Sequence, residues 1–242
     1  VLEHYNSRNN FSASYIDTVL RDGPEVCYRM EDLSIIDSSI WRRDAAIKQD
    51  LTLETTNTAT ADSKGSIYFN GSSSLIEMSS ADQNILNYNG FTLEAWTNIA
   101  VQGTHNIVFS QGTLDFNSSN LAPIFIAKIS NNDKFEFVIL TGYTSWVNIF
   151  STTSAVAGNW YHFVCTWDSS TSLMKVYVNG VEENSTTFGG TLANPATPIH
   201  IGARYYNNVL GDWFNGYIDE VAIYNRVLRP EEILEHYNAR NK

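Results

Sequence analysis

The chain has 242 residues, 43% of them hydrophobic and 13% aromatic, with 17% charged and a formal net charge of −11. This composition supports a sizeable core and excludes a disordered chain. The acidic balance argues against nucleic acid as a partner, because phosphate binding needs a basic surface. No apolar run reaches the length needed to span a bilayer, so membrane insertion is not expected.

Residues 1–10 read VLEHYNSRNN, and residues 233–242 read ILEHYNARNK. Only Val/Ile, Ser/Ala and Asn/Lys differ between them, so the first segment is read as the last helix of a preceding copy and the protein as a tandem array. Next, Tyr15, Ile16, Val19 and Leu20 fall at helical spacing, and Gly23-Pro24 stops that helix. Residues 1–24 are therefore expected to form a helical connector between neighbouring domains.

Val26 to Met30 reads as the first strand. The stretch from Leu33 to Lys64 is polar and poorly periodic, and reads as a long loop, a feature uncommon without a function. Strands then recur between turn signals: 66–69, 75–78, 91–98, 106–110, 124–129, 134–140, 145–150, 160–167, 173–178, 199–202 and 214–224. Asn131-Asn-Asp133 marks a hairpin turn. In the last strand Tyr217, Asp219, Val221 and Ile223 alternate with Ile218, Glu220, Ala222 and Tyr224. Pro230 then opens a helix whose Glu231 and Glu232 suit the positive end of the helix dipole. About a dozen strands with no long internal helix predict an all-β fold, two antiparallel sheets packed as a β-sandwich with short terminal helices. The boundaries are a connector at 1–24, the sandwich at 25–228 and a C-terminal connector helix at 229–242. Cys27 and Cys165 both lie in apolar, strand-like surroundings, and spacing alone leaves open whether they pair.

The ordered set Phe91-Thr-Leu-Glu-Ala-Trp96, Asn159-Trp-Tyr-His162, Thr166-Trp-Asp168, Lys175-Val-Tyr-Val-Asn-Gly180, Ile199-His-Ile-Gly202 and Phe214 to Tyr224 resembles the laminin-G-like, concanavalin A-like lectin/glucanase jelly roll. The helix before Gly23-Pro24 and the trailing Pro230-Glu-Glu-Ile…His-Tyr237 resemble copies in phage structural proteins and large prokaryotic surface proteins. The resemblance implies a jelly-roll module in a virion or cell-surface setting, therefore extracellular or on the virion surface. It leaves function open, since the family includes glycan-binding, adhesion and protein-interaction modules as well as glycosidases.

Glycosidase chemistry needs two carboxylates flanking the scissile bond, and no two acidic residues here lie two apart on one strand. Glu94 has Trp96 and Asn98 as its same-face neighbours. His162 alternates with Trp160 and Val164 and reads as a structural histidine. A non-enzyme is expected.

Calcium takes several oxygen ligands where loops meet. The first and last strands of such a sandwich lie side by side, which would bring Asp32 near Asp219 with Asp37 on the adjoining loop; relatives that hold a structural calcium there imply a Ca2+ site at these three residues. Glycan recognition wants an exposed aromatic face beside amide or carboxylate groups. Trp41, Tyr143, Trp146, Tyr205-Tyr206 with Asn207-Asn208, and Asp212-Trp213 are the loop-placed candidates. Of these, Tyr205, Tyr206, Asn207, Asp212, Trp213 and Trp146 are assigned to the ligand site. The expected role is a non-catalytic module binding a glycan or another surface ligand, with neighbouring repeats as further partners. The alternatives are a structural or decoration domain that binds no sugar and, third, a glycoside hydrolase.

Overall fold

Residues 13–82, 85–86, 89–114, 124–142, 145–190, 192, 197–206 and 209–242 are described by the computed structural model. The 1–10 copy of the terminal helix, with Tyr143, Asn207 and Asn208, lies outside them. Helix α1 (Tyr15–Arg21) is followed by β1 (Val26–Tyr28), β2 (Ala45–Gln49), β3 (Thr52–Glu54), β4 (Ser66–Asn70), β5 (Leu75–Met78) and β6 (Gly90–Ile99). Then come β7 (Asn106–Gln111), β8 (Thr113–Leu114), β9 (Ile124–Ile129), β10 (Lys134–Gly142), β11 (Ser145–Ser154) and β12 (Tyr161–Asp168). The chain continues through β13 (Leu173–Val178), β14 (Val181–Thr187), β15 (Ile199–Ile201), β16 (Arg204–Tyr206), β17 (Val209–Gly211) and β18 (Asn215–Tyr224), and helix α2 (Pro230–Ala239) follows.

Sheet A has the order β14-β13-β12-β6-β18-β4-β3, with β1 also paired to β18; sheet B runs β11-β10-β9-β7-β15-β5-β2. Between them lies the main core, in which Phe91, Leu93 and Ala95 of sheet A meet Phe109, Phe125 and Phe137 of sheet B. Period-two alternation decides this placement: Phe91, Leu93 and Ala95 point inward, while Thr92, Glu94 and Trp96 point to the outer face of sheet A. The architecture is the expected two-sheet antiparallel jelly roll.

Sequence reading missed the short β8, β16 and β17, the last two forming a hairpin where loop-placed residues were expected, and it missed β2, β3 and β14, which replace part of the long loop and follow β13. These latter three lie at or next to a sheet edge, and β14 (Val181-Glu-Glu-Asn-Ser-Thr-Thr187) is exposed along most of its length. Such strands carry no buried alternation to read.

Strand β18 changes partners midway. Its first half pairs with β4, its second half with β1, and β6 runs along its other edge throughout. The switch coincides with a β-bulge between Asp219 and Ala222, where Glu220 adopts φ +46°. Close approach of β18 to β6 also requires Gly216: at φ +142°, an added Cβ would stand 2.2 Å from the Asn98 carbonyl oxygen.

Both helices pack on the outer face of sheet A. Ser14 caps α1 through Asp17 N–H (3.3 Å), and Pro230 starts α2, with Glu232 accepting from Arg229 N–H at 2.7 Å. Tyr15, Val19, Ile233 and Ala239 join Trp96, Val164 and Tyr224 in a second apolar cluster. Cys165 belongs to the core between the sheets and Cys27 to this outer cluster, so the two buried thiols stand on opposite faces of sheet A and both are free.

Candidate functional site

The hairpin of β16 and β17 carries most of the residues assigned to the ligand site. Strand β16 also pairs in parallel with β8 in a small third sheet, β17-β16-β8. Tyr206 is 42% exposed. Arg204, Tyr206, Val209, Leu210, Gly211 and Asp212 line a cleft of about 300 Å³. Arg204 is held in place by Asp212, its Nε lying 2.6 Å from Oδ2, and its guanidinium carbon stands 5.6 Å from the Tyr206 ring centre. Tyr205 instead turns edge-on to His200, with ring centres 5.2 Å apart, and Trp213 is half-buried. Of the assigned residues at this hairpin, Tyr206 and Asp212 line the cleft, whereas Tyr205 and Trp213 do not. Asn207 falls outside the described residues. Trp146 stands apart on β11, with 57% of its surface exposed.

Both regions lie over the outer face of sheet B, which carries polar chemistry that sequence reading did not single out. Glu77, His200, Ser110, Ile126, Val138 and Asn148 align in one row across six strands. His200 Nε2 lies 2.9 Å from Glu77 Oε2, and burial pushes its pKa down in spite of that carboxylate. One register step away, Glu136 meets Lys128 Nζ at 3.1 Å and the Asn148 amide at 2.9 Å. Strict alternation along β10 and β11 was the available signal, since it puts Glu136, Val138 and Leu140 on one face with Trp146, Asn148 and Phe150.

Among the described residues, the two carboxylates of this face do not stand at glycosidase separation. Glu77 and Glu136 are separated by four strand spacings of about 4.8 Å, about 19 Å in all, whereas paired glycosidase carboxylates stand about 5–9.5 Å apart. The row Glu77, His200, Ser110 offers no nucleophile either, because Ser110 is buried and its hydroxyl donates to the Ala203 carbonyl at 2.8 Å.

The densest titratable cluster is structural. Glu94 is fully buried beneath both helices and accepts from Tyr15 Oη (3.0 Å), while its Oε1 lies 2.7 Å from His162 Nε2 and its Oε2 3.0 Å from His236 Nδ1. The other nitrogen of His236 lies 3.0 Å from Asp22 Oδ2. Burial by itself would lower the pKa of His236, but the two flanking carboxylates raise it to about 9, and the imidazolium in turn holds Glu94 well below the usual carboxylate range.

The three aspartates assigned to calcium are placed as follows. Strands β1 and β18 do lie side by side, Val26 opposite Ile223. Asp32 is exposed in a turn and accepts from Ser34 N–H at 2.6 Å. Asp37 is buried and accepts from the N–H groups of Cys27, Ser39 and Arg43 and from Ser39 Oγ, all within 2.8 Å. Asp219 accepts from Ala59 N–H, Ser63 Oγ and Glu220 N–H, and burial lifts its pKa to about 7. The four donors to Asp37 occupy both of its oxygens, while Asp219 keeps at least one lone pair unfilled. At the same seam the Arg29 guanidinium lies 3.0 Å from Glu31, 3.3 Å from Glu220 and 3.7 Å from Asp62. Among the described residues no three His, Cys, Asp or Glu side chains form a group able to hold a metal ion.

Two large antiparallel sheets with this strand order, packed around one core, define a jelly-roll sandwich. Residues 70–234 match the family model described as the concanavalin A-like lectin/glucanases superfamily. The chain belongs to that superfamily. No curated protein matches the sequence at a significant level. Among solved structures, the binding domain of Paraclostridial Mosquitocidal Protein 1 is similar with a TM-score of 0.66 and 17% identity, over 91% of this chain and 53% of that one. Domain 4 of AbnA, a GH43 extracellular arabinanase from Geobacillus stearothermophilus in complex with arabinotriose, is similar with a TM-score of 0.64 and 20% identity, over 88% of this chain and 98% of that one. The botulinum neurotoxin type G receptor binding domain gives 0.62 and 14%, over 89% and 51%. The chain therefore spans about half the length of these toxin domains, and identities this low establish a shared fold.

Proposed function

We propose that the chain is a non-catalytic recognition module that binds a glycan or another surface ligand through the outer face of sheet B, as one of several copies in an extracellular or virion-surface protein. The observation that carries this reading is the exposed Tyr206 ring, with Arg204 toward one face, beside the Arg204–Asp212 pair at the hairpin cleft, an aromatic group next to fixed polar groups. The arabinotriose complex of AbnA Domain 4 and the receptor-binding role of the toxin domains lend support by likeness of fold. No helix among the described residues is long and apolar enough to cross a membrane.

The arrangement of the helices supports the multi-copy reading. Both α1 and α2 are pinned to sheet A by one carboxylate, Glu94, so the chain enters and leaves the sandwich on the face opposite the candidate ligand surface. The repeated decapeptide keeps the docking residues of α2: Ile233, His236 and Tyr237 correspond to Val1, His4 and Tyr5. Copies joined through such helices would direct their ligand faces outward, and weak single sites would combine into avidity.

A glycan array run with calcium and again with EDTA tests the reading, alongside a Tyr206→Ala/Trp213→Ala double variant. Binding lost in the variant supports recognition at the hairpin, and loss in EDTA would bring calcium into the site. The inward turn of Tyr205 onto His200 favours the second reading, a decoration or spacer domain. Silence across a broad array with the fold intact would select it.

A further inference from the structure

We infer that β11, together with the neighbouring outer face of β10, is a second ligand platform that takes a neutral oligosaccharide of at least two sugar units; this rests on the recognition function proposed above. Trp146, Asn148 and Phe150 occupy successive outward positions of β11, the edge strand of sheet B, with Trp146 57% exposed, Asn148 exposed and Phe150 half-buried. Outward positions on a strand repeat every ~6.8 Å, so the two aromatic rings stand about 14 Å apart with an amide between them. That span exceeds a single sugar ring, and it offers stacking at both ends with a hydrogen-bonding group in the middle.

Leu140, opposite Trp146 on β10, extends the apolar surface. Beneath the stripe, the Asn148 amide is oriented by its 2.9 Å bond to Glu136, whose other oxygen is paired with Lys128 at 3.1 Å. A side-chain amide fixed in this way loses little freedom on binding, which favours recognition over adventitious contact.

The charge of the platform sets the ligand class. Two cations lie on this face among the described residues: Lys128 is almost wholly buried and neutralised by Glu136, and Lys134, at the far end of β10, donates its ammonium to the Thr152 carbonyl. The chain as a whole carries −11, so a sialylated, sulfated or uronic ligand would meet net repulsion, with the Trp146–Phe150 stripe itself offering no positive charge. A neutral glycan needs only the C–H stacking and the hydrogen bonds that are present.

The test is titration calorimetry of the full chain with arabino-, xylo- and cello-oligosaccharides of one to six units, and with sialylated and sulfated oligosaccharides, using wild type, Trp146→Ala, Phe150→Ala and Tyr206→Ala. Trp146 and Tyr206 are exposed and Phe150 is half-buried, and thermal melts confirm that each variant is folded. The expected result is binding of a neutral series that strengthens from one unit to three, with a loss of roughly tenfold or more in both Trp146→Ala and Phe150→Ala. Unchanged affinity in those two variants, with loss in Tyr206→Ala, would overturn the platform and leave recognition at the hairpin intact. Preference for the anionic ligands would overturn the ligand class. No binding by wild type to any of the probes would overturn the recognition reading and the platform with it.

Discussion

Replacing His236 by Gln removes the one cation that lies between Glu94 and Asp22. In the folded protein His236 has a pKa of about 9, raised above its ordinary 6.5 by the two carboxylates against the opposing effect of burial. A group whose folded pKa is raised contributes stability that is complete below its unfolded value and is lost as pH climbs through the folded value. Here the window runs from about pH 6.5 to pH 9, and the difference corresponds to about 3 kcal/mol. Glu94 is depressed, so its contribution is present above the ordinary carboxylate range and falls only in strong acid. It reflects the same pairing and is not added to the first. Near pH 6 the variant should therefore be destabilised by about 3–5 kcal/mol, the usual consequence of breaking a buried pair, or about 10 °C in melting temperature. By pH 10 the gap between wild type and variant should narrow by about 3 kcal/mol. Urea unfolding of both proteins at pH 6, 8 and 10 reads this directly, because groups that titrate alike in the two proteins cancel in the difference. A gap that stays constant across that range would refute the charged-imidazolium account of how the helices are held.

Glu220 is fully buried with its Oε2 unpartnered, and burial together with Asp219 pushes its pKa well above the ordinary value. A carboxyl group with a raised folded pKa costs stability as pH rises past its unfolded value, so Glu220→Gln should melt higher than wild type at pH 8 and about the same at pH 4; a lower melting temperature at pH 8 would contradict this. Gly216→Ala should be destabilised by several kcal/mol, because its Cβ would meet the backbone of β6 at Asn98, which cannot yield as a side chain would. A denaturation midpoint shifted down with an unchanged slope checks it.

The two-sheet architecture was legible because the central strands bury one residue in two. The series from 91 to 98, 160 to 167 and 214 to 224 carries that alternation, and the strands stand there. The helix at Pro230 was equally plain, since proline and two glutamates at its start act locally. The edge strands β2 and β14 were not legible, because exposure on both faces leaves no pattern. Among the candidate site residues, chain proximity alone grouped Tyr205, Tyr206, Asp212 and Trp213 at one hairpin. Which ring is open and which rests on His200 depends on a contact between β15 and β16 that no local rule contains.

The amino-acid sequence by itself determined the elements whose signals are short-range: alternation in the buried strands, caps, turns, and the recurrence of the terminal decapeptide. Tertiary structure decided what depends on partners distant in the chain. It set Arg29 among Glu31, Asp62 and Glu220, and it surrounded Asp37 with N–H and O–H donors. It also drew Tyr15, Glu94, His162 and His236 into one network, because a carboxylate carried into the interior by the pleat of β6 must find its counter-charge wherever the fold brings one within reach.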